Sequence, residues 1–173
     1  MGGRRGRGSQ RMSLRFAVLA AVLAVAACSP MAADAGSQST AAATPARHPV
    51  SGLEVIPLTV TTAKGRHAFR VEVARSEAEQ AKGLMFRTAM GANEGMLFPR
   101  TPPDIASFWM HNTVIPLDIV FIGLDHRIIN IAANAVPYDE TPLSAAGTTL
   151  AVLELNGGRA AELGIAPGDR VEW

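Results

Sequence analysis

The sequence predicts a mostly β domain, a β-rich α+β fold built as a small sandwich or partly closed barrel with two short helices. Three observations point there. Apolar runs of strand length recur from Leu53 onward, bounded by Gly, Pro, Asn or Asp. Only two segments carry helix start and stop signals. Hydrophobic residues make up 48% of the 173 residues and charged residues 18%, a globular balance with enough apolar surface for a single core.

Residues 53–62 and 67–74 read as strands joined by a hairpin loop, Ala63-Lys64-Gly65-Arg66. Phe69, Val71 and Val73 alternate with Arg70 and Glu72, so the second strand is expected to keep one wet face. Ser76-Glu77-Ala78-Glu79 is a capping-box pattern, and Gly83 suits the helix end. Residues 95–98 and 107–112 read as short strands. Residues 117–122 are apolar around Asp118, as in a strand buried on both faces. A turn over 123–126 leads into a strand at 127–133, and 149–155 is another buried strand. Asn156-Gly157-Gly158 opens a short helix ending at Gly164. Pro167-Gly168-Asp169 suits a type II turn into a last strand at 170–173.

The N-terminal third has a different character. Five of the 16 basic residues (Arg4, Arg5, Arg7, Arg11, Arg15) fall in the first fifteen positions, followed by twelve apolar residues at 16–27. As a helix that run spans about 18 Å, short of a ~30 Å hydrocarbon core. It reads as the h-region of a signal peptide, residues 1–27. Val25-Ala26-Ala27-Cys28 resembles the lipobox of bacterial lipoproteins, in which the cysteine takes a diacylglyceryl group. Cys28 is therefore the expected lipidation site and membrane the expected partner. The periplasmic side of a bacterial membrane is the expected location, and Ser29 rather than Asp after the cysteine leans toward the outer membrane. Between Cys28 and the domain, residues 29–52 hold 18 Ala, Ser, Thr, Pro or Gly in 24 positions and read as a flexible tether. Residues 28–173 carry 11 basic against 15 acidic side chains, a net of −4, which disfavours nucleic acid as a partner. Cys28 is the single cysteine, so intramolecular disulfides and multi-cysteine metal sites are excluded.

Several blocks stand in a recognisable order: G-L-M-F-R at 83–87, G-M-L-F at 95–98, F-W-M-H-N-T at 108–113, I-P-L-D-I at 115–119, L-E-L-N-G-G at 153–158 and G-I-x-P-G-D-x-V at 164–171. Together they resemble the bacterial and archaeal domain-of-unknown-function family numbered 192, across residues 53–173. The resemblance implies a small β-rich fold in exported or membrane-associated proteins with no agreed activity. It therefore hands over no catalytic residue. Many members carry lysine where this chain has His111, so it gives His111 no essential role.

The candidate site is read from the residues themselves. With 108–113 as a strand, Phe108, Met110 and Asn112 face one way and Trp109, His111 and Thr113 the other. Trp109, Met110, Asn112 and Asp118 would then line a pocket for a small polar ligand or an envelope partner, with Arg87 at its edge. The structural alternative has Asn112, Thr113 and Asp118 satisfying backbone groups in a tight connection. Arg87 suits either a carboxylate or phosphate of a ligand, or an internal acid such as Glu154 or Asp118. Glu154 should point opposite to Leu153 and Leu155 and is expected to be paired. Two further readings stand beside the binding module. One is a hydrolase or lyase using Asp118 with Glu154, although the usual nucleophile and phosphate-loop motifs are missing. The other is a Cu(I)-handling protein using Met85, Met96 and Met110, against which neither M-x-x-M nor H-x-M spacing occurs. No cofactor and no resident metal is expected, and His48, in the tether, is given no role.

Overall fold

The computed structural model describes residues 46–173. The expected signal peptide, Cys28 and the first part of the tether lie outside the described residues. Among the described residues no helix is long and apolar enough to cross a membrane. The strands and helices there are β1 (Val55–Thr62), β2 (Gly65–Val73), α1 (Glu77–Lys82), β3 (Glu94–Asp104), β4 (Ser107–Phe108), β5 (Leu117–Gly123), β6 (Ile128–Ala135), β7 (Leu143–Ser144), β8 (Thr149–Asn156), α2 (Arg159–Leu163) and β9 (Arg170–Glu172). Seven strands form one sheet in the order β6-β5-β8-β3-β2-β1-β9, and β4 pairs with β7. β2 and β3 run parallel; the other neighbours are antiparallel.

The sheet curls until its two edges meet at one end. Arg127 bridges Arg170, and the Val171 amide donates to the His126 carbonyl at 2.9 Å. This is the partly closed barrel that the sequence predicts. All seven strands supply side chains to one cluster, including Leu58, Val60, Val71, Leu97, Val120, Leu153 and Val171, which is therefore the barrel interior. A second cluster lies on the opposite face of β3, β5 and β8. It holds Met96, Phe98, Ile119, Phe121 and Val152, covered by Leu84, Met110 and Ala145 from the connections. Both faces of β5 are thus covered, which is why its sequence reads as a continuous apolar run.

The capping box forms as read: Ser76 Oγ accepts from the Glu79 amide while the Glu79 carboxylate accepts from the Ser76 amide. Those backbone donors, and the Arg75 amide, hold the Glu79 carboxyl below its ordinary range. Gly83 ends α1 at φ +46, with the Phe98 ring 3.3 Å from where a Cβ would sit. A side chain there meets both backbone strain and the core.

Three expectations are corrected. The strand read at 107–112 stops at Phe108, because the chain must turn toward β5. The Thr113 amide donates to Met110 O at 3.0 Å, and Asn112 takes the turn with φ +51, a conformation Asn tolerates. The wet face of β2 is interrupted, since Glu72 is buried. The tether ends earlier than residue 52. His48 donates its backbone N–H to Leu53 O, Val55 donates to Ala46 O, and Arg47 bridges Glu54, so residues 46–52 fold onto the body.

Candidate functional site

The charged residues read from the sequence go to three separate places. Arg87 forms a bidentate pair with Glu72: Nη1 to Oε1 is 2.5 Å and Nη2 to Oε2 is 3.0 Å. Both side chains are largely buried, and Ser51 Oγ donates to the same carboxylate. His48 adds its ring, with Nδ1 3.6 Å from Glu72 Oε2 and Nε2 3.5 Å from Arg87 Nη1. The internal acid that Arg87 meets is thus neither Glu154 nor Asp118. The cluster staples residues 48–51 to β2, so His48 acquires a structural place. One signal for Glu72 is present in the sequence: it stands between Val71 and Val73 on a strand next to the core.

Asp118 is sealed, with no exposed surface. Its Oδ1 accepts from the Asn134 amide at 2.7 Å and the Gly158 amide at 3.0 Å; Oδ2 accepts from the Ala160 amide at 2.7 Å. Gly158 is the N-cap of α2 and has no side chain to cap it. Asp118 supplies that cap from β5, satisfying amides the helix start leaves unpaired. Asn112 likewise contributes through its backbone, its carbonyl accepting from the Phe86 amide at 2.9 Å. Met96 and Met110 are fully buried in the second core cluster, whereas Met85 is half-buried. The three-methionine copper set is therefore split between a packed core and a cavity wall.

Glu154 is the exception. Strand alternation sends it away from Leu153 and Leu155, as read. In register it stands between Met96 of β3 and Ile119 of β5. Asp118 pairs in register with Leu155, so the two acids point to opposite faces of the sheet and form no catalytic pair. Glu154 is 5% exposed, and its Oε2 has no hydrogen-bond partner among the described residues. Burial pushes its carboxyl up to about 8. It is therefore a neutral acid at pH 7, because a lone carboxylate is too costly to desolvate.

Glu154 lines a cavity of about 160 Å³. The walls are the last turn of α1 with Gly83, Leu84 and Met85, then Phe98, Phe108, Trp109, His111 and Thr113. Phe108 meets Phe98 edge-on at 5.1 Å. Trp109 is half-exposed and stacks on His111 with ring centroids 4.9 Å apart. His111 Nδ1 donates to Glu140 Oε1 at 2.5 Å. Arg100, also on the wall, is held by Asp104 at 2.6 and 2.8 Å and donates to Gln80 Oε1 at 3.0 Å. That pairing lowers the Asp104 carboxyl and raises the guanidinium. The structure thus gathers Trp109 and Glu154 in one cavity and leaves Arg87, Met110, Asn112 and Asp118 out of its lining. Gln80, Phe108 and Arg100 join the cavity without having been singled out. They come from α1, β4 and β3, which only the tertiary fold brings together.

The family model DUF192, described as an uncharacterized ACR, matches residues 59–173. Among solved structures, a protein of unknown function from Novosphingobium aromaticivorans DSM 12444 is 73% identical with a TM-score of 0.74, covering 76% of this chain and 94% of that one. A protein from Sinorhizobium meliloti 1021, named a candidate transcription regulator, is 38% identical with a TM-score of 0.67, covering 69% and 94%. No curated protein matches.

Proposed function

Because the chain belongs to the uncharacterized DUF192 family, its role has to be read from its own residues, and we propose a binding module that takes a small polar group into the cavity above Glu154. The observation that carries this reading is a buried carboxyl, that of Glu154, with an unpartnered oxygen, on the lining of an open cavity. Buried polar groups are rarely left unsatisfied, and one on the lining of a cavity is completed by whatever enters. The group is either part of a free small molecule or a side chain of an envelope partner. Trp109 supplies an exposed aromatic wall, whose face packs against apolar parts of the ligand.

The test is chemical-shift mapping of the full domain with a library of small amines, amides and alcohols. Hits are expected to move the Trp109 indole and the amides of residues 83–85. Glu154→Gln should weaken them at least about tenfold, a loss of about 1.4 kcal/mol or more, with the remaining spectrum unchanged. Hits that ignore the substitution, or map elsewhere, would refute the reading.

The same proposal places the module at the periplasmic side of a bacterial membrane, held through a diacylglyceryl group on Cys28. The support is the basic, apolar and small-residue order of positions 4–28. Mass spectrometry of the membrane fraction should find the mature chain beginning at a lipidated Cys28, and Cys28→Ser should leave the protein unlipidated. A full-length chain with an unmodified thiol would refute it.

A further inference from the structure

We infer that the group taken above Glu154 is an organic ammonium, from a free amine, a lysine side chain or an aminated headgroup. This rests on the cavity being the binding site and names its ligand class. The acid at the floor lacks a cation: among the described residues no Lys or Arg pairs with Glu154. Arg100, the guanidinium on the wall, is occupied by Asp104 and Gln80. Phe108 and Trp109 offer aromatic surface of the kind that attracts cations. A carboxyl with no cation partner, beside aromatic surface, is the group that an ammonium completes.

Entry of the cation changes the protonation of the floor. Glu154 gives up its proton to solvent and becomes the carboxylate that the ammonium pairs with. The other ionisable groups on the cavity are Lys82 on α1, the Arg100–Asp104 pair on β3 and the His111–Glu140 pair at the rim. Lys82 is exposed on the rim and is the group that opposes the cation. Its substitution by Gln is expected to tighten binding.

Titration calorimetry of the folded domain separates the outcomes. The probes are methylammonium, N-acetyl-lysine methylamide and choline, each against a neutral isostere (3,3-dimethylbutanol for choline). The ammonium compounds should bind and their isosteres should bind at least about tenfold more weakly. Repeating the titration in buffers of different ionisation enthalpy at pH 6.5 should show about one proton released. Affinity should rise toward pH 8 by up to about tenfold per unit, following the linkage between proton loss and binding. Glu154→Gln should abolish both proton release and the pH dependence while the circular dichroism spectrum stays unchanged. Methylammonium alone, the lysine probe alone or choline alone would each support the inference and identify the source. Isosteres binding as tightly as the cations would overturn it while leaving the cavity as the site. No binding of either set at millimolar concentration would overturn both.

Discussion

Replacing Asp118 with alanine is expected to lower the unfolding free energy by about 3–5 kcal/mol, since each buried donor left unsatisfied costs roughly 1–3 kcal/mol. The amides of Asn134, Gly158 and Ala160 all lose their acceptor in that variant. Asp118 itself is sealed and its bond to the Ala160 amide is fully buried, so water does not readily replace the oxygen lost there. α2 loses its only side-chain cap among the described residues, because Gly158 has none to give. Asp118→Asn is not a rescue, since its amide nitrogen would face an N–H donor at one of the two oxygen positions. Urea unfolding of the two variants measures the effect. A loss under about 1 kcal/mol for Asp118→Ala would mean that the carboxylate is not the keystone of the β5–α2 junction.

Glu154→Gln should have the opposite sign. The ordinary Glu value is 4.5 and burial raises this one to about 8. Between those values the native state holds a proton that the unfolded chain has lost. Stability therefore falls as pH rises from about 4.5 to about 8 and is flat beyond. The full span corresponds to roughly 4–5 kcal/mol at about 1.4 kcal/mol per pH unit. A glutamine side chain does not titrate, so the variant should lack this decline. It should exceed the wild type by several kcal/mol at pH 8–9 relative to their difference near pH 4.5. Glu79, Asp104 and Asp139 are lowered instead, so their contributions vanish at the acid end, as pH falls through their folded values, and leave this window untouched. Urea midpoints at pH 5, 7 and 9 provide the test. Parallel pH profiles for the two proteins would show that Glu154 is solvated or paired. The two substitutions also distinguish roles: Asp118 stabilises without serving a ligand, whereas Glu154 costs stability where a cavity opens over a buried acid that has no ion-pair partner among the described residues. Conflict between stability and local chemistry is the usual mark of a working site.

The contrast between these two acids marks the reach of sequence reasoning. Both stand in apolar runs of similar appearance, L-D-I-V-F and V-L-E-L. Alternation correctly turns Glu154 away from Leu153 and Leu155. Alternation does not say that the face it turns to holds a cavity while Asp118 meets three amides. Arg87 behaves in the same way. Pairing with a buried carboxylate is one of the two roles its sequence context allows, but its partner Glu72 lies on β2, a strand whose alternation reads as wet.

By itself the sequence determined what depends on neighbours a few residues apart. These are the mostly β class, the capping box at Ser76 and Glu79, the helix end at Gly83 and the doubly buried β5. Periodicity and capping act within a turn or a strand, and their energetics are local. Tertiary structure decided the parallel β2–β3 pairing, the contact that joins β6 to β9, and the partner of every buried charge. Those outcomes depend on which strands become neighbours, a choice made by the sum of burial across the whole sheet, so no short window of residues contains them.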